Sequence, residues 1–70
     1  MKSYVPVRIG QIRGNKKGVV YLVDGRDIVS DSWRVFMLIS PYEYYEMFTH
    51  YYWSDIYVSA DEVIDEEYRN

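Results

Sequence analysis

The side chains of this 70-residue chain that could do chemistry are few and poorly matched. There is one histidine, His50, and no cysteine. A nucleophile–base pair thus has one candidate base and no thiol, and no serine stands in a nucleophile motif. His50 follows Glu46 by four residues, a spacing that on a helix permits an ion pair. The reading is a surface or helix-end histidine without a catalytic task. Thiolate zinc sites are excluded, and a single imidazole cannot form a two-histidine site. Asp24, Asp27 and Asp31 lack the glycine and distal glutamate of a calcium loop, and read as turn residues that bond their own backbone. Gly10, Gly14 and Gly18 match neither dinucleotide nor Walker spacing. They read as a strand connection with positions needing positive φ. No enzyme activity, metal or cofactor is expected.

Binding is the chemistry that remains, and two surfaces offer it. The first is aromatic and acidic. On a helix, Tyr42, Thr49 and Trp53 fall on one flank beside Glu46, and exposed aromatic rings next to a carboxylate are the composition of binding hot spots. The competing outcome is that Trp53 passes the helix end and turns under the sheet. Asp61, Glu62 and Asp65 extend this surface as a solvated acidic face, or as carboxylates offered to a basic groove. The second surface is basic: Arg8, Arg13, Lys16, Lys17 and Arg26 could meet phosphates, with Trp33 or Tyr21 stacking on bases.

Charge divides the same way. Residues 1–35 carry seven cationic side chains against three aspartates, and residues 36–70 carry Arg69 against eight acids, within an overall charge of −3. Either the halves pack together and neutralise each other, or the surface has two faces, one drawn to polyanions and the other to a basic partner.

The elements that must position these groups belong to one small domain. So short a chain buries little surface, and without disulfides it must lean on aromatic packing or a second copy. Aromatic content is 19 %, with nine tyrosines; homodimerisation is expected as a supplement. No apolar run reaches the roughly 20 residues of a membrane span, and the N-terminus has no secretory h-region. A cytoplasmic location is expected.

Val5, Val7 and Ile9 alternate around Arg8 as in a half-buried strand entered through Pro6. Val19–Val23 is β-branched and aromatic, a second strand, followed by a hairpin signal at Asp24-Gly25 and the apolar pair Ile28-Val29. Ser30-Asp31-Ser32 separates these from a central strand over 33–39. Ser40-Pro41-Tyr42-Glu43 is a capping box with proline at the first helical position, predicting a helix from Pro41 to about Trp53. Residues 55–58 are expected as a short returning strand. Ser59-Ala60-Asp61-Glu62 is a second capping box, opening a C-terminal helix anchored by Val63, Ile64 and Tyr68.

The expected fold is α+β: a small curved antiparallel sheet of four to five strands, or an SH3-like partial barrel, with one helix at about 41–53 and a short C-terminal helix. The expected function is a non-enzymatic protein-interaction module, of the phage- or mobile-element inhibitor type. Such a module would grip a larger protein or protein–nucleic acid complex through its aromatic and acidic surface. The alternative is a weak nucleic-acid binder using the basic N-terminal half.

Overall fold

A computed structural model describes residues 5–66 of the chain. It is an α+β fold with the order β1 (Ile12–Gly14), β2 (Val20–Asp27), β3 (Ser32–Ile39), β4 (His50–Ser54), α1 (Asp55–Ala60) and β5 (Glu62–Asp65). The five strands form one antiparallel sheet in the order β4-β3-β2-β1-β5, which does not close into a barrel.

The spine is the β2–β3 hairpin, as its β-branched and aromatic residues predict. Alternation sends Tyr21, Val23, Val35 and Met37 to one face, where all four are fully buried. Val19 and Val58 complete the buried apolar set, with Val7, Trp33, Tyr42, Tyr45, Tyr51 and Trp53 packed around it. The hairpin reverses at 28–31 and not at Asp24-Gly25. There the β2 register shifts between Val23 and Gly25, and a Cβ on Gly25 would sit 3.0 Å from Cβ of Arg34. Gly25 thus serves a bulge and a close side-chain crossing within a strand.

The expected N-terminal strand is not one. Residues 5–8 have no ladder, and Gly10 turns the chain at φ 103°. The buried Gln11 side chain meets that segment's backbone needs, accepting from Arg8 N and donating to Pro6 O. Backbone bonds to β2 start at Gly10 and Gln11, both to Val23, and the regular ladder begins at Ile12, opposite Leu22.

The helix expected at 41–53 does not form. Ser40 Oγ accepts from Tyr42 N, which makes a local serine turn instead of a capping box. Phe48 adopts φ 61°, a left-handed backbone that ends any helix. His50–Ser54 then pairs with β3, Trp33 opposite Trp53 and Val35 opposite Tyr51. Aromatic residues are mediocre helix formers and good strand formers, and an open edge of β3 beside them outweighs a local cap. The last two expected elements are exchanged for the same reason. Residues 55–60 are helical, capped by Ser54 Oγ accepting from Ile56 N. Glu62–Asp65, expected as a C-terminal helix, is a strand against β1. Tyr68, its expected anchor, lies outside the described residues. No helix among the described residues is long and apolar enough to cross a membrane.

Candidate functional site

The loop over 40–49 precedes β4 and helix α1 follows it, and residues of all three line a groove of about 490 Å³. Its walls are the rings of Tyr42, Tyr44, Tyr45, Trp53 and Tyr57, with Asn15, Lys17, Ser54 and Asp61 among its polar lining. Tyr52 borders it from β4 but sends its side chain to the opposite sheet face, across from Arg34. The rings hold one another. Tyr42 stacks on Tyr44 at 5.1 Å, Tyr44 meets Tyr45 edge-on at 4.7 Å, and Tyr45 leans on Trp53 at 5.3 Å. Trp53 in turn sits edge-on to the buried Tyr21 at 4.9 Å. Offset and edge-to-face geometries are the favourable ones for aromatic quadrupoles, so the groove wall is tied ring by ring to the core. Glu46 N donates to Tyr51 Oη at 2.8 Å, fastening the loop to β4. Tyr44 and Tyr57 remain 69 % and 71 % exposed, which leaves ring surface open to a ligand even with Tyr44 stacked on Tyr42.

Asp61 is the acid of the groove's lining. Its Oδ2 accepts from Tyr21 Oη at 2.6 Å. Burial raises the Asp61 pKa above the ordinary carboxylate value, against the opposing pull of the Tyr21 bond and of Arg13. Burial, and next the bond to Asp61, push the Tyr21 phenol far up, so it stays a neutral donor. A second trough of about 500 Å³, lined by Gly14, Lys16, Lys17, Ala60, Asp61 and Glu62, meets the first at Asp61 and Lys17.

Of the residues expected to bind a partner, the structure brings Tyr42, Trp53 and Asp61 into this one groove and Glu62 into the trough beside it. Trp53 and Tyr42 are half-buried, packed on the core with part of each ring facing the groove, and not on an outward helix flank. Glu46 and Thr49 are not part of the lining: Glu46 is exposed on the loop, and Thr49 O receives Met37 N to start the β3–β4 pairing. Asp65 lies exposed on β5. His50 pairs with Asp24 at 2.8 Å across the open sheet face, where Arg34 Nε also bonds Asp24; the expected Glu46 partnership rested on the helix that is absent.

The basic set divides differently. Lys16 and Lys17 are exposed beside the groove, and Arg8 is exposed on the N-terminal segment. Arg13 is not available to a phosphate. It is 1 % exposed, with Nε on Gln11 Oε1, one terminal nitrogen on the carbonyls of Val58 and Asp61, and the other on Val5 O. Arg26 pairs with Asp31 at 2.7 Å and covers the Trp33 ring at 4.6 Å. Tyr21, expected as a stacking platform, is buried.

Sequence reasoning assigns Tyr44, Tyr45 and Tyr57 no binding role. The signal that finds them is the density of tyrosine between 42 and 57, six of the nine in the chain. No group of three or more histidine, aspartate or glutamate side chains among the described residues is placed to hold a metal ion. Comparison with protein-family models, curated proteins and solved structures gave no match.

Proposed function

We propose that this protein is a non-enzymatic interaction module that captures an extended segment of a larger protein in the tyrosine–tryptophan groove. The observation that carries the reading is the groove's composition: five aromatic rings among its lining residues, anchored ring by ring to the core. Pre-ordered rings lose little conformational freedom on binding, which is why tyrosine and tryptophan dominate hot spots. Shallow aromatic grooves suit extended segments rich in proline, whose backbone is already stiff. The setting expected from composition, an inhibitor of the phage or mobile-element type, makes that segment part of its target. An SH3-like partial barrel is the finer description of the sheet that accompanies this reading, supported by the return of β5 to β1 after the short helix α1.

The test is selection of a displayed random-peptide library, including proline-rich members, on the immobilised full chain. Enriched peptides should lose about tenfold or more in affinity against Tyr44→Ala and Tyr57→Ala, since one hot-spot ring is worth about 2 kcal/mol. Those two rings are exposed, so the variants should keep the wild-type melt. Failure to enrich any peptide, or equal binding to both variants, refutes the groove as the site.

A second reading has one observation in its favour: Lys16 and Lys17 flank the aromatic wall. Single-stranded nucleic acid combines stacked bases with a cationic track. With Arg13 and Tyr21 buried, few phosphate contacts remain. Binding of oligothymidine that falls steeply with salt and is lost on Lys16→Ala/Lys17→Ala would favour this reading over the peptide.

A further inference from the structure

The two outer strands of the sheet, β4 and β5, have opposite character. β5 is acidic: Glu62 and Asp65 lie within it, Asp61 and Glu66 flank it, and its register against β1 breaks between Ile12 and Arg13. Charge and irregularity are the devices by which edge strands refuse another strand. β4 has neither. It reads His50-Tyr51-Tyr52-Trp53-Ser54, without lysine, arginine, acid or proline, and it matches β3 residue for residue with no break.

The hydrogen bonds show which β4 groups face outward. Met37 N donates to Thr49 O and Met37 O accepts from Phe48 N, so Met37 turns its backbone towards the β4 side of β3. By alternation Val35 and Trp33 do the same, and their partners Tyr51 and Trp53 turn theirs inward. Asp55 N donating to Asp31 O continues the pattern. The N–H and C=O groups of His50 and Tyr52, and the N–H of Ser54, therefore point away from the sheet.

We infer that β4 pairs antiparallel with β4 of a second copy of this chain, about a two-fold axis at Tyr52. Such a pairing is self-complementary. Tyr52 exchanges both backbone bonds with Tyr52 of the second copy, and His50 faces Ser54. No like charges meet on the joined strands. The acidic β5 edges end up four strands away on each side, about 19 Å at ordinary strand spacing and beyond the screening length of about 8 Å. Pairing also covers Tyr52, 61 % exposed in the single chain. It enlarges a structure whose fully buried apolar set, among the described residues, is six side chains. Small domains without disulfides commonly need such a supplement. The inference is independent of what the groove binds.

Sedimentation equilibrium of the full chain over a wide concentration range should show a reversible monomer–dimer equilibrium. Directly opposed, hydrogen-bonded residues of an antiparallel pair have Cα atoms about 5.5 Å apart, within disulfide reach. Because the chain lacks cysteine, Tyr52→Cys should give a reducible covalent dimer on mild oxidation, many times faster than Ile64→Cys on β5. Tyr52→Glu should weaken the dimer about tenfold or more by setting like charges opposite one another. It should keep the monomer fold, since the introduced carboxylate would lie across from Arg34; circular dichroism checks this. A monomer at every concentration overturns the inference. So does a dimer that cross-links through Ile64→Cys and not Tyr52→Cys, or one that survives Tyr52→Glu.

Discussion

Replacing Arg13 by methionine tests the account of how the two ends of the chain are held. The guanidinium is buried beneath β1. It bonds Val5 O before the sheet, Val58 O in α1, Asp61 O at the start of β5, and Gln11 Oε1. Methionine retains much of the apolar stem and volume but supplies no donor. The acceptors on Gln11 and Val58 sit in fully buried bonds, while those on Val5 and Asp61 lie nearer water. Gln11 Oε1 still accepts from Arg8 N and Val58 O from Asp61 N, so what is lost is a set of bonds to a charged donor. Each is worth about 1.5–3 kcal/mol when buried and less near water, offset in part by the guanidinium desolvation that methionine avoids. The sum is about 3–5 kcal/mol, against a total stability for this length of about 3.5–10 kcal/mol. Urea unfolding followed by Trp33 and Trp53 fluorescence should therefore show Arg13→Met losing about a third or more of the wild-type stability. Its melting temperature should fall by more than about 12 °C, at about 4–8 °C per kcal/mol. Arg13→Lys, with one compact ammonium for several carbonyls, should fall between the two. Arg8→Ala, an exposed arginine, should stay within about 0.5 kcal/mol of wild type. An Arg13→Met protein within about 1 kcal/mol of wild type would refute the reasoning, because it would mean that water replaces the guanidinium freely.

Three further outcomes follow from the geometry. Burial raises the Asp61 pKa in the folded protein, so ionisation opposes folding: the stability it contributes is present below the unfolded carboxylate pKa and is lost as pH rises through the folded one. The stability of wild type relative to Asp61→Asn should accordingly fall as pH rises from mildly acidic to neutral in urea titrations, and a flat or opposite trend contradicts the assignment. Gly14→Ala places a methyl 2.7 Å from Val19 O and 2.8 Å from Ile64 Cδ1. It should cost about 1–3 kcal/mol by overpacking, and adding Ile64→Val should recover only part of this in the melt, because the backbone contact stays. Trp53→Ala removes the ring between Tyr45 and Tyr21. It should destabilise by about 2–3 kcal/mol, whereas Tyr57→Ala should stay within about 0.5 kcal/mol; equal melting temperatures would contradict the anchoring role given to Trp53.

Sequence reasoning reached the parts of this fold that local chemistry decides. The β-branched and aromatic run Val19–Val23 and the apolar run over 33–39 made the two central strands legible, although the turn between them falls at 28–31 and not at Asp24-Gly25. Of the three glycines read as a connection with positive φ, Gly10 and Gly18 have it, at φ 103° and 102°, while Gly14 lies in β1 without it. The absence of cysteine, the uneven charge and the tyrosine content could be read directly. Of the groove, Tyr42, Trp53 and Asp61 are legible in the sequence as rings and an acid suited to binding, whereas Tyr44, Tyr45 and Tyr57 are not, because only the loop and α1 bring them to it.

What the tertiary structure decided lies where a local preference met an available sheet edge. The Ser40-Pro41-Tyr42-Glu43 cap and the Ser59-Ala60-Asp61-Glu62 cap are each worth about 1 kcal/mol. Both were overruled, since β3 and β1 offered whole ladders of backbone partners and a face on which Tyr51, Trp53 and Val63 could rest. Arg13 is the sharpest case. A lone arginine after a strand signal reads as a surface cation, and only the convergence of residues 5, 58 and 61 around it, far apart along the chain, supplies the carbonyls that make its burial affordable.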